Sequence, residues 1–108
     1  MNNPSLDGAM AVELAGRPLR LRYTINSLCA LEDRAGMSID RLMGRQFSAT
    51  RLLLWAGLAE LQPELTVRDV GALIGEHIAR GGSLEDIVEL CADGLREAGF
   101  FGREEAEA

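Results

Sequence analysis

His77 is the one histidine of this 108-residue chain, and Cys29 and Cys91 are its two cysteines, so any metal or nucleophile chemistry starts with them. A zinc pair on a helix needs a second histidine four residues away, and His77 has none. It therefore reads as a partly exposed helical histidine near a carboxylate. Cys29 and Cys91 form no C-x-x-C pair. Cys29 lies beside Leu28 and Leu31, and Cys91 beside Leu90 and Leu95, which reads as two small buried hydrophobes in a reducing cytoplasm. Gly81-Gly82 belongs to no phosphate cradle, because such loops use a lysine or a strand-to-helix fingerprint and the chain has no lysine. Ser38, Ser48 and Ser83 each precede an apolar run, the place of a helix cap rather than a nucleophile. Glu85, Asp86, Glu89, Asp93 and Glu97 recur at helical spacing opposite an apolar stripe, as a solvated ridge does. No catalytic, cofactor-binding or metal-ligating residue is assigned, and an enzyme is not expected.

The elements that would position these side chains are one hairpin and a series of helices. Val12, Leu14, Leu19, Leu21 and Tyr23 alternate with Glu13, Arg20 and Arg22 around Ala15-Gly16-Arg17-Pro18. That period of two predicts two strands and a turn. From Thr24 to Gly99 the apolar spacing becomes three and four. Thr24 or Asn26 can cap a first helix to about Ala35, with Ile25, Leu28, Leu31 and Ala35 on one face and Gly36 ending it. Ser38 caps a short segment, Ile39 to Gly44, with Leu42 and Met43 as buried candidates. Ser48 is expected to cap a third helix, Ala49 to Gln62, the most apolar of all and so predicted to be central, with Trp55 buried. Thr66 with Asp69, and Ser83 with Asp86, read as capping boxes for helices Val67 to Arg80 and Leu84 to Ala98. Their expected inward residues are Val70, Leu73, Ile74 and Ile78, then Ile87, Val88, Cys91 and Leu95.

The expected fold is thus mainly α, a small bundle of about five helices with an N-terminal two-stranded antiparallel β-hairpin. Residues 1–10 are expected to form a flexible arm, 11–101 one domain, and 102–108 an acidic disordered tail. Nothing in Met1 to Met10 resembles a signal peptide, and no run is apolar enough for a membrane span. Up to Arg51 the chain holds seven arginines against five acids; from Leu52 on it holds four against twelve, giving the total of −6. The acidic half argues against nucleic acid and against an anionic membrane as partners. In the helix–Gly-Gly–helix stretch, the second helix carries five acids against Arg96 alone, the wrong sign for a DNA groove.

Two stretches resemble the tail assembly chaperones of long-tailed bacteriophages, including related tail proteins of gene transfer agents. The first is Leu19-Arg20-Leu21-Arg22-Tyr23-Thr24, followed by Leu28-Cys29-Ala30-Leu31-Glu32 and Gly36. The second is Leu53-Leu54-Trp55-Ala56-Gly57-Leu58, then Gln62-Pro63-Glu64-Leu65-Thr66, then Val70-Gly71-Ala72-Leu73-Ile74. The likeness runs from about Ala11 to Ala98. It implies no catalytic residue, cofactor or metal. What it implies is a helper in the cytoplasm of a bacterial host that binds the tape measure protein, or other tail proteins, during tail morphogenesis. A structural tube or connector subunit of a prophage or gene transfer agent, and an unrelated helical interaction module, are the alternatives. Self-association is left open. For a partner site the surplus apolar residues are Leu53, Leu54, Leu58 and Leu61, together with Phe100 and Phe101.

Overall fold

Strands β1 (Met10–Leu14) and β2 (Arg17–Leu21) pair antiparallel, with Met10 opposite Leu21 and Leu14 opposite Arg17. The loop between them is only Ala15-Gly16, with φ of 52° and 78°. Two left-handed residues in succession match the right-handed twist of the strands, which is why the hairpin can be this tight. Five helices follow in this computed structural model, which describes residues 8–101: α1 (Ile25–Ala35), α2 (Ile39–Leu42), α3 (Gln46–Ala59), α4 (Val67–Ala79) and α5 (Leu84–Glu97). The protein is a mainly α bundle carrying one hairpin, as the spacing predicts. Residues 1–7 of the expected arm and the expected tail 102–108 lie outside the described residues. Met10 is already part of β1 and Ala9 is buried, so the ordered chain begins before Ala11.

The caps follow the sequence signals. Thr24, Thr66 and Ser83 each accept a hydrogen bond from the N3 backbone N–H, and the N3 side chain in turn accepts one from the cap backbone N–H. Ser38 accepts from the Arg41 N–H at the start of α2. α3 departs from the expectation. It starts at Gln46 rather than Ala49, its N-cap is Arg45, and no side chain caps it. Ser48 is therefore inside the first turn. The chain leaving α2 supplies the fixed point instead, since the Arg45 N–H donates to the Leu42 carbonyl and the Ala49 N–H to the Arg45 carbonyl.

α3 is central, packing against α1, α2, α4, α5 and β2. Leu54 and Leu58 have no exposed surface. Trp55, expected to be buried, is half-buried against the edge of the core. Phe47, Arg51 and Trp55 stand one helical turn apart on a single face, and that face looks outward. Four other expected core residues are exposed: Ile25 begins α1, Met43 ends α2, Ile78 lies in the last turn of α4, and Val88 sits beside the inward Ile87 on α5. The first three occupy helix ends, where a neighbouring element no longer covers the apolar face. Cys29 is also exposed, on α1, while Cys91 is buried as expected.

The hairpin joins the bundle through Leu21 and Tyr23, which wedge between α3 and α5. A Cβ on Gly57 would lie 2.6 Å from Leu21 Cδ1 and 2.7 Å from Tyr23 Cζ. A Cβ on Gly94 would lie 2.6 Å from Leu21 Cδ2. The two helices thus lack side chains where the end of the hairpin passes. Polar groups complete the join. The Arg22 N–H donates to the Gly57 carbonyl at 2.9 Å, and the Tyr23 hydroxyl donates to the Leu53 carbonyl at 2.6 Å. Gln62 covers the outer edge of β2: its Oε1 accepts from the Arg20 N–H at 2.7 Å and its Nε2 donates to the Arg20 carbonyl at 2.9 Å. A side-chain amide here replaces a neighbouring strand.

Candidate functional site

The exposed apolar surface gathers where the N-terminal end of α3 meets the last turns of α4 and the start of α5. Phe47 is 77% exposed and stands over an open groove of about 350 Å³. Ser48 and Arg51 from α3, Gly71, Ile74 and Ile78 from α4, and Leu84 from α5 complete its lining. The sequence builds this place in three steps. α3 begins early, which puts Phe47 on a helix instead of in a connector. α4 carries Gly71, Ile74 and Ile78 at spacings of three and four, which aligns them on one face. The Gly81-Gly82 turn then folds α5 back so that Leu84 closes one end. Gly71 has a direct part, because the Arg51 Cδ lies only 3.1 Å from where its Cβ would be. The side chain of Arg51 therefore lies along bare α4 backbone, its Nη1 3.9 Å from the same point, and the residue stays exposed.

The turn below the groove is held by His77. Its Nε2 lies 2.9 Å from Asp86 Oδ2, across the α4–α5 junction. The carboxylate beside this histidine is thus Asp86 rather than the adjoining Glu76, which pairs with Arg80. The Ser83 backbone N–H, and after it His77, hold the Asp86 carboxyl below the usual carboxylate range. A side chain at Gly82 would enter the His77 ring. The arrangement is a structural latch in which Asp86 Oδ2 faces His77 Nε2 and also accepts from the Ser83 backbone N–H, tying the turn to the cap of α5.

Elsewhere the chemistry is sparse. A second hollow, about 360 Å³, is rimmed by Arg17, Glu64, Asp69 and Glu76 over Leu65 and Leu73. Among the described residues no group of three or more histidines, cysteines or carboxylates is placed to hold a metal ion. The ridge Glu85, Asp86, Glu89, Asp93 and Glu97 is exposed along α5. Cys91 is packed in the core beside Tyr23, and burial pushes its thiol up to about 11. Burial also raises the Tyr23 hydroxyl well above its ordinary value. Neither group is poised to react at neutral pH. No helix among the described residues is long and apolar enough to cross a membrane.

Neither a family model, nor a curated protein, nor a solved structure matches the chain.

The six residues predicted to meet a partner divide three ways. Leu54 and Leu58 are fully enclosed, which removes them from any docking surface; the helix that carries them is surrounded by four others. Leu53 and Leu61 are half-buried. Phe100 and Phe101 are 38% and 40% exposed just past α5, with the Arg96 guanidinium 5.3 Å above the Phe101 ring. They stand at the opposite end of α5 from Leu84, about 20 Å away along a 14-residue helix. Leu54 and Leu58 therefore drop out of the expected patch, and Phe100 and Phe101 stand apart from the groove that Leu84 closes. Phe47 is the residue that sequence reasoning missed. Its signal was a large aromatic bracketed by Arg45, Gln46 and Ser48, where no core position is expected.

Proposed function

We propose that this chain is an assembly helper of the phage tail chaperone type, which holds an apolar helical segment of a tape measure protein until the tail tube encloses it. The observation that carries the reading is the groove under Phe47. An aromatic ring 77% exposed beside Ile78 and Leu84 offers apolar surface that folding itself leaves uncovered. The resemblance of residues 53–74, and of the hairpin leading into α1, to the tail chaperones supplies the identity of the partner. The acidic balance of −6 supports the reading too, since it would keep a complex with a sticky helical chain dispersed.

Co-expression tests it. A long helix-rich protein of the tape measure type, taken from the same genome, is expected to be more soluble with the chain than without it, and to co-purify with it. Phe47→Ser should abolish both effects while leaving the circular dichroism spectrum unchanged. Equal solubility with and without the chain, and no co-purification, would overturn the reading in favour of a structural tail subunit.

A further inference from the structure

Resting on that reading, the charge around the groove narrows the kind of segment it takes. We infer that the groove binds an amphipathic α-helix whose apolar stripe seats between Phe47 and Ile78 and whose neighbouring carboxylate pairs with Arg51. Arg51 is the one charged residue lining the groove, and among the described residues it has no ion pair or hydrogen bond. The α3 side of the groove is basic, while its α5 side carries Glu85 and Asp86 next to Leu84. From Asp40 to Arg51 there are three arginines against one acid, in a chain of net charge −6. Arg41 and Arg45 likewise have no ion pair among the described residues. A carboxylate on the side of the segment that faces α3 is thus the charge that Arg51 completes, and the α5 side would repel one.

The shape selects a helix over an extended chain. The groove walls are two helices, with Phe47 and Arg51 at i, i+4 on one and Gly71, Ile74 and Ile78 at i, i+3, i+7 on the other. A third helix presents side chains at these same intervals. Gly75 lies one turn beyond Gly71, and a Cβ there would meet nothing within 4 Å. No contact inside the protein requires glycine at that position, yet glycine weakens a helix. Its absence of side chain leaves the α4 ridge low enough for another backbone to approach. An extended peptide has no comparable seat on β2, whose edge at Arg20 is already occupied by Gln62.

The test uses the whole chain and two fluorescein-labelled, alanine-based helical peptides of about 15 residues, long enough to hold a helix. Both carry leucines at i, i+3, i+4 and i+7; one has glutamate beside the stripe and the other lysine. By fluorescence anisotropy the glutamate peptide is expected to bind about tenfold tighter than its lysine twin. Arg51→Glu should invert that order, and Phe47→Ala should weaken both peptides. Equal binding of the two peptides, or an Arg51→Glu variant with unchanged preference, overturns the inference. The acidic outer face of α5, with exposed Val88 between Glu85 and Glu89, makes a second copy the competing occupant. Sedimentation equilibrium showing a dimer that Val88→Ser dissociates would also overturn it. Co-expression that succeeds regardless of Arg51→Glu removes the inference and keeps the chaperone reading. Peptide selectivity without any co-expression effect does the reverse.

Discussion

At the scale of single residues, the most telling positions are those held against their intrinsic preference. Ala15 has φ of 52°, a left-handed conformation that an L side chain adopts at a cost of roughly 1–2 kcal/mol. Asparagine tolerates that region and is the favoured partner of a following glycine in a two-residue turn. Ala15→Asn is expected to stabilise the protein by about 0.5–1 kcal/mol, seen as a higher urea midpoint at unchanged slope. Cys91 and Tyr23 are held neutral by burial, with ordinary values of 9.0 and 10.0 and folded values above them. Above pH 9 the unfolded chain sheds the Cys91 proton while the folded chain keeps it to about 11. The unfolded state then binds fewer protons, so stability falls as pH rises. It is complete below pH 9 and is expected to drop on the order of 1 kcal/mol per pH unit between 9 and 11, as urea melts would record. In Cys91→Ala that slope should be shallower, whatever the variant's stability at pH 7.

At the scale of elements, the join between the hairpin and the bundle is the point of greatest constraint. Alanine would ordinarily strengthen a helix by about 1 kcal/mol over glycine. At Gly57 the added methyl would meet Leu21 and the Tyr23 ring below 3.0 Å, and overpacking of that kind costs typically about 1–3 kcal/mol. The clash outweighs the propensity, so Gly57→Ala should lower the thermal midpoint, while Gly75→Ala, with open space around it, should raise it. Gln62 offers a separate check. Its side chain satisfies both backbone groups of Arg20, and Gln62→Ala is expected to cost about 1–2 kcal/mol. The Arg20 amide should then exchange with solvent faster than in the parent, which a general loss of stability would not single out.

For the molecule as a whole, folding and binding draw on different residues. The core around Leu54, Leu58 and Ile87 is enclosed, whereas Phe47 is largely outside it. Phe47→Ser should therefore shift stability by no more than about 0.5 kcal/mol in chemical denaturation. Its effect should appear in the partner assay alone. A variant that lost both together would place Phe47 in the fold rather than at a docking surface. Association through this groove should show a negative heat-capacity change, the mark of apolar burial.

The helix count, the hairpin, the capping boxes of α4 and α5 and the central place of α3 were legible in the sequence because each is local, whereas the Thr24–Ser27 box of α1 was not singled out there. A cap needs only a side chain three residues from its partner, and a fully apolar helix has nowhere to go but the middle. The start of α3 was not legible, because the backbone of α2 fixes it and no cap residue marks it. The outward faces of Ile25, Met43, Ile78 and Val88 were not legible either. Periodicity tells which residues share a face of a helix, but the neighbouring elements decide how far along that face they provide cover. Phe47 becomes a surface feature only when the end of α4 and the start of α5 lie beside it, and Leu54 and Leu58 leave the surface only when four helices close around them. The sequence by itself determined which elements form and the caps of α2, α4 and α5, but not the start of α3. The tertiary structure decided which apolar side chains were left over, because exposure is a property of what stands opposite a residue and not of the residue.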